Sequence, residues 1–122
     1  MECTFCQIVA GQKAGDILYH DDSVTAFRDI RPRAPTHILI VPNQHFSRIE
    51  ELLDGNEALL VAMFAKACDL AREEGIADKG YRLVINNGPG AGQVVDHVHL
   101  HLLGGRPMHE EDVALRWRDQ MP

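Results

Sequence analysis

His97-Val98-His99-Leu100-His101-Leu102 sets three imidazoles at strict two-residue spacing, each followed by an apolar residue. On an extended strand that period puts His97, His99 and His101 on one face and Val98, Leu100 and Leu102 on the other. A sheet strand with one core face normally scatters Ser, Thr, Lys or Glu along its polar side. Three histidines there concentrate nucleophile, acid/base and metal-ligand capacity within a few ångströms.

Three readings compete for this face. It is a solvated polar surface that happens to be rich in His, a His-x-His metal site with three ligands and one open position, or a nucleophilic centre in which the middle imidazole attacks. Phosphorus chemistry suits the last, because a neutral imidazole attacks phosphorus well and its phosphoramidate adduct hydrolyses readily. The loop Gly88-Pro89-Gly90-Ala91-Gly92 lies one short connection upstream. Its glycines let backbone N–H groups close on a phosphate, although such clusters also make ordinary turns.

Working outward, residues 4–10 read as a short helix stopped by Gly11, and Ile17 to His20 and Val24 to Asp29 as strands joined at Asp21-Asp22-Ser23. His37 to Val41 is a largely apolar strand ended by Pro42. From Asn56 to Glu74, Leu59, Leu60, Met63, Phe64, Ala67, Leu70 and Ala71 recur at three- and four-residue spacing, which predicts one long amphipathic helix closed by Gly75. Its apolar positions cover more than one stripe, which suggests a second buried contact besides its own sheet. Tyr81 to Ile85 reads as another strand. This order predicts an α+β fold on a mainly antiparallel sheet with one long and one short helix.

At 122 residues the chain fits one domain (1–122), a core over 1–105 and a polar tail over 106–122 that carries Val113, Ala114, Leu115 and Trp117. The net charge of −6 and the lack of a basic run argue against nucleic-acid binding. No apolar stretch approaches a membrane span, and Met1-Glu2-Cys3-Thr4 lacks the pattern of a signal peptide. A cytoplasmic protein is expected, and its three cysteines read as thiols or metal ligands before disulfides. Cys68 reads as a small buried residue and His20 and His109 as surface. Cys3-x-x-Cys6 by itself is open between redox pair, metal half-site and coincidence.

His-Val-His-Leu-His followed by Leu102-Leu103-Gly104-Gly105-Arg106 resembles the histidine-triad (HIT) nucleotide-binding family, in particular its Hint branch. Ala26-Phe27-Arg28-Asp29-Ile30, Ala34-Pro35-Thr36-His37, Ile40-Val41-Pro42, Gly80-Tyr81-Arg82 and Gly92-Gln93 extend the likeness over nearly the whole chain. The resemblance implies a HIT-like fold, two copies joining five-stranded sheets into one, and a purine nucleotide (AMP, GMP or a conjugate) held against the triad. Phe5, Ile8, Phe27, Ile30 and Leu39 match the base pocket. Asp29 matches the carboxylate that accepts from both ribose hydroxyls, and Asn86, Gly92, Gln93 and Val94 match the phosphate loop. His99 matches the nucleophile, His101 the neighbour that contacts phosphate and leaving group, and His37 and His97 the supporting imidazoles.

The activity so implied is hydrolysis of nucleoside 5'-phosphoramidates or related conjugates through a nucleotidyl-histidine. The alternatives are hydrolysis of dinucleoside polyphosphates or other adenylates, and a nucleotide-binding regulatory module with incidental turnover. Family members commonly carry Ser where this chain has Val94 and an aromatic where it has Asp96. The lost hydroxyl, a donor of about 1–3 kcal/mol when desolvated, points to slower turnover. A subset of bacterial members holds a structural zinc at positions matching Cys3, Cys6, His45 and His97. His97 cannot ligate a metal and act as an acid or base at once, which leaves proton transfer to His99 and His101.

Overall fold

The computed structural model describes residues 3–109. Five strands, β1 (Ile17–His20), β2 (Val24–Arg28), β3 (Thr36–Pro42), β4 (Arg82–Val84) and β5 (Leu100–Gly104), form one antiparallel sheet in the order β1-β2-β3-β5-β4. Phe27 lies opposite Leu39, and Leu39 opposite His101. Directly paired residues share a face, so these three make one row across the sheet. Ala26, Ile38, Ile40, Leu100 and Leu102 alternate with that row and pack into the larger core on the other face. The sheet is covered on both sides, which is why every residue of β3 is buried.

Two helices supply those covers. The long helix α3 (Glu57–Glu73) buries Met63, Ala67, Leu70 and Ala71, a stripe at three- and four-residue spacing, against the larger core. The short helix α1 (Thr4–Val9) sits on the histidine face and buries Phe5 and Ile8 with Phe27, Leu39 and Val41. Cys3 caps it, its sulfur accepting the Cys6 N–H, and Gly11, at φ +74°, follows its end. Six residues do not make a helix that lasts alone in water, so α1 depends on what its buried face and its two sulfurs hold.

Three expectations need adjusting. A further helix, α2 (Ile49–Leu52), precedes α3; four residues are too few for periodicity to reveal, and the turn is made by the Glu51 carboxylate accepting the Ser47 and Arg48 N–H groups. The triad strand begins at Leu100 rather than His97. Beyond the Ile40–Leu100 pair, β3 runs into Pro42, which has no N–H for a ladder, and the Val98 N–H turns instead to the Phe46 carbonyl at 2.7 Å. Cys68 is only partly buried and accepts the Tyr81 hydroxyl at 3.2 Å. Of the second apolar stripe on α3, Ala67 and Ala71 are buried and Leu60 packs on the larger core, so only Phe64, 38% exposed, stays open, with Val61 beside it at 68%. His20 and His109 are exposed, as expected. The tail residues Val113 to Trp117 lie outside the described residues.

Candidate active site and metal centre

Each triad imidazole has its proton position set by a partner on one ring nitrogen. His99 Nδ1 lies 2.8 Å from the His97 carbonyl, which can only accept, so Nδ1 carries the proton and Nε2 keeps a free lone pair. His37 Nδ1 accepts the Arg33 N–H at 3.1 Å, which puts its proton on Nε2. That N–H donates to His101 Nδ1 at 2.9 Å, with the Asp29 carboxylate 3.4 Å to the side. His101 must then carry its own proton on Nε2. That atom is the buried side-chain polar atom without a hydrogen-bond partner among the described residues. A buried donor left without a partner costs about 1–3 kcal/mol, which marks a place where a ligand atom belongs. The arrangement thus sets a nucleophilic lone pair on His99 beside a donor on His101, their ring centres 4.9 Å apart.

Burial holds these rings neutral. His99 and His101 are pushed below the ordinary histidine value chiefly by loss of water. For His101 the nearby His99, His37 and Arg33 push further in the same direction, whereas Asp29 partly offsets the shift at His99. A neutral ring is what a nucleophile requires.

The His99 and His101 rings line a cleft of about 310 Å³. Phe5, Ile8, Phe27, Ile30 and Leu39 line it together with Asp29, Val94, His99 and His101. Phe5 meets Phe27 edge-on at 5.3 Å and His99 at 5.1 Å, so the apolar wall runs directly into the triad. Ile30 is 88% exposed and forms a rim rather than a floor. One Asp29 oxygen accepts the Arg31 N–H at 2.8 Å. Its remaining lone pairs still leave acceptor capacity toward the cleft.

The glycine-rich loop is held by its own hydrogen bonds. Asn86, Gly92 and Gln93 do not line the cleft. Gln93 is buried, and its amide donates to the Ser47 and Val95 carbonyls at 2.9 and 3.0 Å and accepts from Gly88 N–H and Arg48 at 2.7 and 3.2 Å. Its own N–H and that of Gly92 bond within the loop, to Gly88 and Pro89. Gln93 therefore braces the loop, and Val94 and Val95 are what the loop presents to the cleft. Sequence reasoning also missed Thr4, Lys13, Arg31 and Arg33 on the cleft wall. No spacing signal marks them, because their places follow from tertiary packing. Asp96, in place of the usual aromatic, pairs with Arg48 at 2.5 Å and accepts the Ser47 hydroxyl at 3.2 Å.

Behind the triad, Cys3, Cys6, His45 and His97 offer four ligand atoms within 4.8 Å of one another. Cys3 Sγ and Cys6 Sγ lie 3.4 and 3.5 Å from His97 Nδ1, and Cys6 Sγ lies 3.3 Å from His45 Nδ1. Ordinary zinc–sulfur and zinc–nitrogen bonds at tetrahedral angles require an S···N edge of about 3.5 Å. The set matches that edge. His97 Nε2 donates to the Pro42 carbonyl at 2.8 Å, which leaves Nδ1 unprotonated toward the sulfurs. Burial holds that ring down to about 4, aided by His45. The Cys6 thiol is pushed up to about 11 by burial and by its bond with Cys3, so a cation entering here displaces thiol protons. Thiolates and imidazoles in this geometry fit a soft tetrahedral cation.

A family model for the HIT domain matches residues 10–108. The chain is 48% identical over 107 residues to the purine nucleoside phosphoramidase of Escherichia coli strain K12, covering 88% of this chain and 90% of that one. It superimposes on the crystal structure of a HIT family hydrolase from Legionella pneumophila Philadelphia 1 with a TM-score of 0.87 and 45% identity, over 91% of this chain and 99% of that one. A zinc-bound histidine triad family protein from Mycobacterium smegmatis gives a TM-score of 0.74 and 30% identity, over 98% of this chain and 93% of that one. With the triad, the cleft and these likenesses along most of its length, the chain belongs to the HIT-domain family.

Proposed function

We propose that this protein is a nucleotidyl hydrolase that cleaves purine nucleoside 5'-phosphoramidates through a nucleotide bound covalently to His99. The observation that carries the reading is the pair of opposed tautomers, a lone pair on His99 Nε2 and an unpartnered Nε2–H on His101, on two neighbouring rings that line the cleft. His99 Nε2 attacks the α-phosphorus and the P–N bond breaks. The amine takes one proton from solvent as the P–N bond breaks and leaves neutral, with the His101 N–H steadying the charge that develops on it. Water then attacks phosphorus, gives one proton back to solvent, breaks the P–Nε2 bond and restores neutral His99, so that the net reaction is phosphoramidate plus water to nucleoside monophosphate plus amine. Phe5, Ile8, Phe27 and Leu39 clamp the base, and Asp29 accepts from the ribose hydroxyls. Val94 and Val95 bring backbone N–H groups to the phosphoryl oxygens.

Cys3, Cys6, His45 and His97 are the residues that would hold zinc. Held by these four residues, zinc would cross-link α1 to the segment before β5 rather than supply Lewis acidity. His97 then serves the chemistry through its carbonyl, which orients His99. The exposed apolar pair Val61 and Phe64 on α3, and the short edge strand β4, support a homodimer whose sheets run on across a two-fold axis.

The test is kinetic. His99→Asn should abolish turnover of an adenosine or guanosine 5'-phosphoramidate and leave AMP affinity within several-fold of wild type, because it removes a transition-state route and one ground-state contact. Retention of a tenth of wild-type turnover would refute the assignment of the nucleophile.

A further inference from the structure

Apart from the triad, the polar residues that line the cleft fall into two groups, Arg28, Asp29, Arg31 and Arg33 from the end of β2 and the loop after it, and Thr4 and Lys13 from α1 and the connection after it. Thr4 and Lys13 line the cleft beside Phe5, Ile8, Phe27 and Leu39. Lys13 is exposed, so its ammonium is solvated and open to an acceptor on a ligand that enters the cleft. Lys13 has no ion-pair partner among the described residues; the nearby Asp16 is paired with Arg28 at 3.7 Å.

Its place along the cleft follows from the packing of α1. Phe5 lies at the triad end, 5.1 Å from His99. Ile8 is one turn further on, and the connection after α1 folds back onto it: a Cβ added at Gly15 would lie 3.1 Å from Ile8 Cγ2. Lys13, Ala14 and Gly15 thus form the end wall remote from His99. With phosphate at the triad and ribose at Asp29, that wall faces the far edge of a bound purine.

The chemistry of that edge decides the rest. Lysine offers three donors and no acceptor. Guanine presents two acceptors side by side, O6 and N7, whereas adenine presents N7 beside an exocyclic amino donor. An ammonium attracts the first pair and opposes the second. We propose that Lys13 makes this cleft selective for 6-oxopurine nucleotides, guanine and hypoxanthine, over adenine. The inference rests on the nucleotide-hydrolase reading above and adds to it the identity of the base.

Calorimetric titration with GMP, IMP and AMP tests it without requiring turnover. IMP has the oxo edge of GMP but no 2-amino group, so it isolates the contact assigned to Lys13. The wild type should bind GMP and IMP on the order of fivefold more tightly than AMP, since a charged hydrogen bond from an exposed lysine is weaker than a buried one. Lys13→Met should bring all three within twofold, and Lys13→Arg should keep the gap. Steady-state rates on guanosine and adenosine 5'-phosphoramidates should show the same ratio, expressed in KM and not in kcat. Equal or tighter AMP binding by the wild type, or an unchanged gap in Lys13→Met, overturns the proposal and leaves the hydrolase reading intact. Failure to bind any of the three nucleotides overturns both.

Discussion

Replacing Gln93 by Met, which keeps length and removes all polar contacts, separates a brace from a phosphate ligand. The side chain is 9% exposed and makes four hydrogen bonds, three to backbone groups of Ser47, Val95 and Gly88 and one to Arg48. Each is worth about 1 kcal/mol net, and the backbone partners that lose it are poorly placed to find water. Arg48 keeps Asp96 as a partner, so that bond is the least costly to lose. The expected loss is about 2–4 kcal/mol. At this chain length about 4 °C of melting temperature accompanies each kcal/mol, which gives a fall of about 8–15 °C. The assay pairs a thermal melt with KM for a phosphoramidate. A brace lowers the melt and raises KM together, because Val94 and Val95 lose their support. A phosphate ligand raises KM alone, so a variant that melts within about 2 °C of wild type while binding substrate poorly would refute this reasoning.

Elemental analysis of protein purified without chelator should find about one zinc per chain. A Cys3→Ser, Cys6→Ser double variant should lose it, melt lower and still turn over at raised KM; metal-free wild type of full stability, or a folded variant with no turnover, contradicts the structural assignment. His101 is held neutral by burial, with His99, His37 and Arg33 adding to the effect, whereas the unfolded chain titrates it near its ordinary value. The unfolded state therefore binds the extra proton: this contribution is complete above about pH 6.5 and is lost at about 1.4 kcal/mol per pH unit as pH falls below it. Denaturant titrations should show that slope, and His101→Asn should flatten it by one proton; an unchanged slope counts against the buried neutral ring. Sedimentation equilibrium should give twice the chain mass at micromolar concentration, and Phe64→Glu with Val61→Glu should halve it. A wild type that sediments as one chain sinks the dimer.

Much of this architecture is legible in the chain because it follows from periods. Alternation in 97–102 sends Leu100 and Leu102 to one core and His99 and His101 to the other face, and the three-and-four spacing of Met63, Ala67 and Leu70 fixes the covered side of α3. What stays hidden depends on single side chains reaching across the fold. Gln93 lies beside glycines that suggest a phosphate cradle, yet its amide is engaged by residues as distant as Ser47. Lys13 sits in an irregular connection with no spacing around it to mark a cleft wall. The tautomers of the four imidazoles come from carbonyls and an amide that only packing brings near. The strand at His97 starts late for a similar reason, since the proline that stops its ladder belongs to β3.

Rapid-quench mass spectrometry with enzyme in excess over guanosine 5'-phosphoramidate tests the central claim most directly. Within the first turnover, the peptide that contains His99 should gain the mass of one nucleotidyl group and lose it as GMP appears, and the His99→Asn protein should show neither. A full turnover of GMP with no adduct on that peptide at any quench time, or an adduct on another residue, would contradict the account.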